Sequence, residues 1–158
     1  MFRTGLGFDS HRFVDGRPLI LGGQTIPFDK GLAGHSDADA VAHALTDAIL
    51  GAAAAGDIGQ LFPDTDPQWK DADSLTLLRQ ACELVRYRGF TPRQADITVI
   101  LERPKLAGHF PAIAEALSRV TGIPMAALGL KAKTNEGMGF VGRGEGIAVI
   151  AVATVEAG

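Results

Sequence analysis

The sequence has 158 residues, 46% apolar and 21% charged, with 20 glycines, four histidines, one cysteine and a net charge of −3. Intrinsic disorder is excluded by the apolar share and coiled coil by the glycine content, and the length suits one domain, since domains most often run to about 100–150 residues. The charge argues against a nucleic-acid or anionic-membrane binder held by a broad positive field, whereas a small anionic ligand needs only a few local donors.

The opening residues MFRTGLGFDSHR carry charge by Arg3 and lack the apolar run of a secretory leader. Phe2 to Phe8 is predicted as a short strand, in which Gly5 and Gly7 mark close approach by another backbone or a ligand. Pro18–Leu21 and Gln24–Pro27 flank Gly22-Gly23, a hairpin signal. Ser36 followed by Asp39 has the spacing of a capping box, so a helix is expected over Ala38 to Ala54. Asp57 to Pro67, with two prolines, is expected to be irregular. Asp73-Ser74 should cap a helix that reaches about Arg88, where Gly89 ends it. Ala95–Leu101 is β-branched and apolar on both faces, as in a buried strand. A helix over Phe110–Thr121, a strand over Leu128–Thr134, a glycine-rich loop over Asn135–Gly146 and a last strand over Ile147–Val155 complete the chain.

No linker or repeat divides residues 1–158, so a single domain is expected. Interleaved strands and helices predict an α/β or α+β sandwich, a mixed sheet with helices on one face. The longest apolar run, IAVIAVATV, is too short for the roughly 20 residues of a membrane span. Cys82 has no disulfide partner, which points to a reducing, cytoplasmic setting.

Three histidines, His11, His35 and His43, fall in the first third of the chain. On an extended backbone Asp9 and His11 point to the same side, a pair that suits either a divalent cation or a plain Asp–His hydrogen bond at a strand end. Asp39, His43 and Asp47 recur every four residues on an otherwise apolar helix, a narrow polar stripe without Lys or Glu. Such a stripe reads as the wall of a site, with Asp39 or Asp47 orienting the imidazole of His43, or as a satisfied buried histidine. Asp9, His11 and His43 together would leave a metal's fourth position open, as in working rather than structural sites.

His35-Ser36 precedes the helix, where amides, a hydroxyl and an imidazole can seat a phosphate or simply cap the helix. The Phe62–Asp66 loop offers polar groups to a ligand or caps a turn. Lys131 to Gly146 brings glycines together with Lys133, Thr134, Glu136 and Arg143, suited to phosphate oxygens and a hard ion, although no P-loop spacing is present. There is no Gly-x-Ser-x-Gly elbow, and Cys82 sits mid-helix among apolar neighbours, so a protein-bound nucleophile is not indicated. The residues alone reach a metal-dependent enzyme acting on a phosphate-bearing small molecule.

RTGLGFDSH (Arg3–His11), GHSDADAVAHALTDAILGAAAAGDIGQLFPDTD (Gly34–Asp66) and KAKTNEGMGFVGRGEG (Lys131–Gly146) occur in order along the chain. In this combination the chain closely resembles, nearly end to end, the 2-C-methyl-D-erythritol 2,4-cyclodiphosphate synthase family of the methylerythritol phosphate route to isoprenoids. The resemblance implies a phosphorus–oxygen lyase that converts 4-diphosphocytidyl-2-C-methyl-D-erythritol 2-phosphate into the cyclodiphosphate plus CMP, the substrate's own 2-phosphate being the nucleophile. It implies Zn²⁺ on Asp9, His11 and His43, and Mg²⁺ or Mn²⁺ reached by Glu136. His35 and Thr134 match the positions that stabilise the transition state. Ser36 would hold the methylerythritol phosphate, Asp57 and Gly59 sugar hydroxyls, and Pro104 and Lys105 the cytosine. Phe62, Asp64, Asp66, Lys133, Asn135, Phe140 and Arg143 complete the implied substrate contacts.

A homotrimer with active sites between subunits is also implied, its sheets packed around the threefold axis. Near that axis Arg143 and Glu145 would face an apolar cavity lined by Phe8 and Phe140, able to take an isoprenoid diphosphate or to hold only an interface ion pair. Many relatives carry three threonines where this chain has Lys133-Thr134-Asn135, so by the resemblance Lys133 would change how the α-phosphate is held. Two other readings stand beside it: a metal-dependent phosphodiesterase that shares Asp9, His11 and His43 but lets water attack, and a non-catalytic trimer that binds isoprenoid diphosphates through Arg143 and does not need His43.

Overall fold

The computed structural model describes all 158 residues, Met1–Gly158. In chain order come β1 (Phe2–Val14), β2 (Leu19–Leu21), β3 (Gln24–Ile26), β4 (Gly31–Leu32) and α1 (Ala40–Ala52). Then follow the one-turn α2 (Ile58–Leu61), α3 (Ser74–Tyr87), β5 (Phe90–Ile100) and α4 (Phe110–Thr121). Strand β6 (Leu128–Lys133), the one-turn α5 (Gly139–Gly142) and β7 (Gly146–Ala157) end the chain.

Five strands form one sheet in the order β4-β1-β7-β5-β6, mixed because β5 and β6 alone run parallel. Alternation decides its two faces. Ile147, Val149, Ala151, Ala153 and Val155 of β7 point under the helices and are buried, with Ala95, Ile97 and Val99 of β5 beside them. The other face carries Phe2, Leu6, Phe8 and Ile150, all exposed in the single chain. Helices thus cover one face, as expected for the α/β sandwich, and no helix is long and apolar enough to cross a membrane.

Gly5 and Gly7 serve close backbone approach. A Cβ on Gly5 would fall on the carbonyl of Ala48, and one on Gly7 on that of Ala44, so α1 lies directly on β1. The mostly Ala-rich α1 can pack this near because it has few large side chains to hold it off.

Four expectations are corrected. Strand β1 continues to Val14 rather than ending at Phe8, because pairing with β7 runs through Asp9, Ser10, His11 and Arg12 despite their polarity. Asp39, not Ser36, caps α1, its carboxylate accepting from Ala42 N, so the helix begins at Ala40. Strand β5 begins at Phe90, its register shifting past Pro92, which has no ladder donor to give. The loops at Asp57–Pro67 and Asn135–Gly146 each contain a helical turn, α2 and α5; the Asp57 carboxylate starts the first, and Gly142 packs on the Gly137 backbone in the second.

Candidate functional site

Residues 5, 7, 9 and 11 of β1 share the face under α1, so the side chains of Asp9 and His11 emerge beside that helix just beyond the glycine contacts. His43 meets them from α1. Asp9 Oδ2 lies 2.7 Å from His11 Nε2 and 3.2 Å from His43 Nδ1. One ligand atom from each of the three residues falls within 4.8 Å of the others.

The donor set fits a cation on chemical grounds. His11 Nδ1 is 2.7 Å from the Ala33 carbonyl, which only accepts, so Nδ1 carries the hydrogen. In the neutral ring Nε2 then presents a lone pair to the Asp9 carboxylate, and two acceptors at 2.7 Å require positive charge between or upon them. A proton meets that need in part: burial lowers His11's pKa, but the Asp9 carboxylate outweighs it and holds the value above the ordinary one. Burial likewise raises the Asp9 carboxyl, and hydrogen bonds with charge from His11 and His43 more than reverse this, leaving it below the usual range. A divalent cation taking imidazole nitrogen and carboxylate oxygen meets the need fully.

The expected orienters of His43 are corrected. Asp39 spends its carboxylate on Gly22 N (2.8 Å), Gly23 N (2.7 Å) and Ala42 N (3.0 Å), holding the β2–β3 hairpin. Its complete burial pushes its pKa up to about 6 against the pull of those amides. Asp47 accepts from Ile58 N at 2.7 Å and so anchors α2. The partners of His43 are Ser74 Oγ at 2.8 Å and Ser36 Oγ at 3.2 Å from Nε2. Ser74 was legible only as part of a helix start, because nothing local ties it to a residue 31 positions earlier.

A cleft of about 410 Å³ opens over this floor, lined by His11, His35, Ser36 and His43 with Gly59, Phe62, Asp64 and Trp69. Arg17 donates to the carbonyls of Gly34 (2.7 Å) and Ser36 (2.6 Å), gripping the loop on either side of His35, whose Nε2 lies 3.2 Å from the Asp66 carbonyl. Asp57 and Asp66 turn their carboxylates to Gln60 and Gln68, and the Gln68 hydrogen bonds hold Asp66 below the usual carboxylate range. Trp69 stands edge-on to Phe62 at 5.0 Å and walls the cleft. Arg17 and Trp69 were missed, since neither lies in a chemically suggestive pattern.

Thr134 and Glu136 do not join this cluster within one chain, nor do Pro104, Lys105, Lys133 or Asn135 line the cleft. Asp9 is opposite Val149, Val149 opposite Val99, and Val99 beside Ala132. The two groups therefore sit at one end of the sheet but three strand spacings apart, about 14 Å. Glu102 accepts from Asn135 N (3.2 Å) and Gly137 N (3.1 Å), bracketing Glu136, whose φ is +53°. Phe140 and Glu145 line a second recess with Ser10 and Arg12, which shares His11 with the cleft, and Arg143 pairs with Glu145 at 3.2 Å. Burial pushes the Cys82 thiol up to about 12, so it offers no thiolate nucleophile.

Fold and cleft together define an α/β protein in which an Asp-His-His cluster able to hold a cation lies at the floor of a pocket. The YgbB family matches residues 2–156, and the chain belongs to that family. It is 54% identical over 154 residues to the 2-C-methyl-D-erythritol 2,4-cyclodiphosphate synthase of Salinibacter ruber, covering 98% of each chain. Among solved structures it is similar to the bifunctional IspDF of Campylobacter jejuni, with a TM-score of 0.96 and 44% identity; all of this chain matches 43% of that one. It is also similar to a 2C-methyl-D-erythritol-2,4-cyclodiphosphate synthase in a CDP-bound form, with a TM-score of 0.89 and 45% identity over 98% of this chain and 100% of that one.

Proposed function

We propose that the chain is a single-domain, cytoplasmic cyclodiphosphate synthase acting on 4-diphosphocytidyl-2-C-methyl-D-erythritol 2-phosphate. An oxygen of the substrate's 2-phosphate attacks the β-phosphorus and forms the new P–O bond. The bond from the β-phosphorus to the bridging oxygen breaks, CMP leaves with the α-phosphate, and no water is consumed. The observation that carries this reading is the convergence of Asp9, His11 and His43 beneath a cleft that also presents His35 and Ser36. Relatives of that name, matched over nearly the whole chain, support it.

With both reacting groups on one substrate, the protein's task is to position them and to neutralise charge on the transferred phosphoryl group. Asp9, His11 and His43 would hold Zn²⁺, and Glu136 would reach Mg²⁺ or Mn²⁺ at the diphosphate, ions that when bound supply Lewis-acid neutralisation of phosphate oxygens. His35, gripped by Arg17 through its neighbours' carbonyls, donates to a phosphate oxygen, and Thr134 does so from the other side. Ser36 holds the methylerythritol phosphate, and Asp57 and Gly59 the erythritol or ribose hydroxyls, with Phe62 and Asp64 along the wall and Asp66 beside His35. Pro104 and Lys105 take the cytosine; Lys133 and Asn135 flank the diphosphate.

The separation of about 14 Å between the two groups favours a site completed by another copy. A homotrimer meets this, with the apolar face of Leu6, Phe8 and Ile150 turned to its axis. There Arg143, next to Phe140, is suited to an isoprenoid diphosphate.

The test is product analysis by phosphorus NMR, with metal content measured on the same samples. Wild type yields the cyclic diphosphate and CMP, whereas His43→Ala stays folded, loses metal and forms neither. An uncyclised phosphate with CMP sinks the reading in favour of a phosphodiesterase. A fully active, metal-free His43→Ala protein removes the site assignment.

A further inference from the structure

We propose that Asp37 and Ser74 act as a positioning pair that fixes which nitrogen of His43 carries its hydrogen, and thereby the affinity of the Asp9–His11–His43 cluster for a cation. The proposal rests on that cluster being a cation site. Neither residue faces the ion; both act through His43.

Ser74 begins α3 directly after its cap, Asp73, and is fully buried. Its amide donates to Asp37 Oδ2 at 3.0 Å, and its hydroxyl donates to Asp37 Oδ1. Asp39 N adds a third hydrogen bond to the same carboxylate at 3.1 Å. A carboxylate only accepts, and a serine hydroxyl has one hydrogen to give. Once that hydrogen is committed to Asp37, Ser74 Oγ has only lone pairs left for His43 Nε2, which lies 2.8 Å away. Nε2 must therefore be the donor. Ser36 Oγ, 3.2 Å from the same nitrogen, can direct its own hydrogen to Ser74 Oγ at 3.4 Å and so serve Nε2 as a second acceptor.

A neutral imidazole carries one hydrogen, so placing it on Nε2 leaves the lone pair on Nδ1. That nitrogen is the one 3.2 Å from Asp9 Oδ2, so here, as at His11, two facing acceptors call for positive charge, which a cation between them supplies and a second proton supplies in its absence. His11 reaches the same state by another route, its hydrogen held outward by the Ala33 carbonyl. The outer hydrogen bonds of both rings thus turn both inner nitrogens into ligands, as outer partners of metal-bound histidines characteristically do. If Asp37 is removed, the Ser74 hydroxyl is free to donate to Nε2, and the His43 hydrogen moves to Nδ1, where it blocks the cation.

The experiment uses the full-length chain in metal-free form at pH 8, with ¹⁵N-labelled histidine, and measures Zn²⁺ affinity by chelator competition. Metal-free wild type should show His43 with its hydrogen on Nε2. Ser74→Ala and Asp37→Ala should each lower Zn²⁺ affinity about 10–100-fold, and Asp37→Ala should move the His43 hydrogen to Nδ1. Circular dichroism melts establish that each variant is folded, and the wild-type spectrum tests the proposal without any variant. Wild-type His43 with its hydrogen on Nδ1, or Zn²⁺ affinity within twofold of wild type in both variants, overturns the proposal. A wild-type protein that takes up no Zn²⁺ refutes the cation site itself, an outcome distinct from wild-type uptake with unaffected variants.

Discussion

Gly7→Ala tests whether the contact between β1 and α1 sets the site. A Cβ at Gly7 falls on the Ala44 carbonyl oxygen and lies 2.8 Å from Ala48 N and 2.9 Å from Ala44 C. All three are backbone atoms and cannot rotate away, so α1 must retreat by about 1.5 Å to bring the closest of them, the Ala44 oxygen at 1.9 Å, to ordinary contact near 3.5 Å. Overpacking of this kind costs about 1–3 kcal/mol, with the upper end expected where backbone meets backbone. Alanine's smaller loss of chain entropy returns only about 0.4–1 kcal/mol. A net loss of about 2 kcal/mol lowers Tm by roughly 4–8 °C for a chain of this size. His43 immediately precedes Ala44, so the same retreat draws it from Asp9 and His11. Misplacement on the order of 1 Å costs about 100-fold in rate. The assay is a thermal melt, Zn²⁺ affinity and kcat/KM on one preparation. Gly51→Ala, at an exposed α1 position with open space around it, is the control and should not lower Tm. A Gly7→Ala protein with wild-type Tm and wild-type turnover refutes the argument.

Three further outcomes are expected. Mixing His43→Ala with Thr134→Ala chains under refolding conditions should restore activity that neither has alone; no recovery would place the whole site in one chain. Arg17→Ala releases the grip on the His35 loop and should lower kcat about tenfold while Zn²⁺ affinity stays unchanged; equal loss of both would tie Arg17 to the metal floor instead. Asp39, with its folded pKa raised to about 6, contributes stability that is fully present below its unfolded value near 3.8 and is lost as pH rises through 6. Chemical denaturation should therefore show the stability of wild type relative to Asp39→Asn falling by on the order of 2–3 kcal/mol between pH 4 and pH 7. A difference independent of pH would contradict the raised value.

Where local pattern and final structure agree, one interaction usually dominates. Helix α3 appears almost where its Asp73 cap and Gly89 place it, and α4 ends where Gly122 stops it, because capping and hydrophobic periodicity act within a few residues. The glycines at 5 and 7 and the polar stripe on α1 exposed the floor of the site, since each violates the pattern of an ordinary strand or helix. Where the sequence misled, a distant partner decided the matter. The polar run from Asp9 to Arg12 remains strand because β7 supplies its hydrogen bonds some 138 residues away in register, as in Ser10 opposite Ala148. Asp39 and Asp47 share the His43 face yet are spent on Gly22, Gly23 and Ile58. Ser74 and Arg17 gain their meaning only when α3 and the β1–β2 turn are brought to the loop before α1.

The central claim is that the phosphoryl group passes within one substrate and not to water. Turnover of the cytidine diphosphate substrate in H₂¹⁸O, followed by mass spectrometry of both products, tests it directly. Intramolecular attack yields cyclic diphosphate and CMP with no ¹⁸O in either. A heavy oxygen on CMP or on an uncyclised methylerythritol phosphate would contradict it.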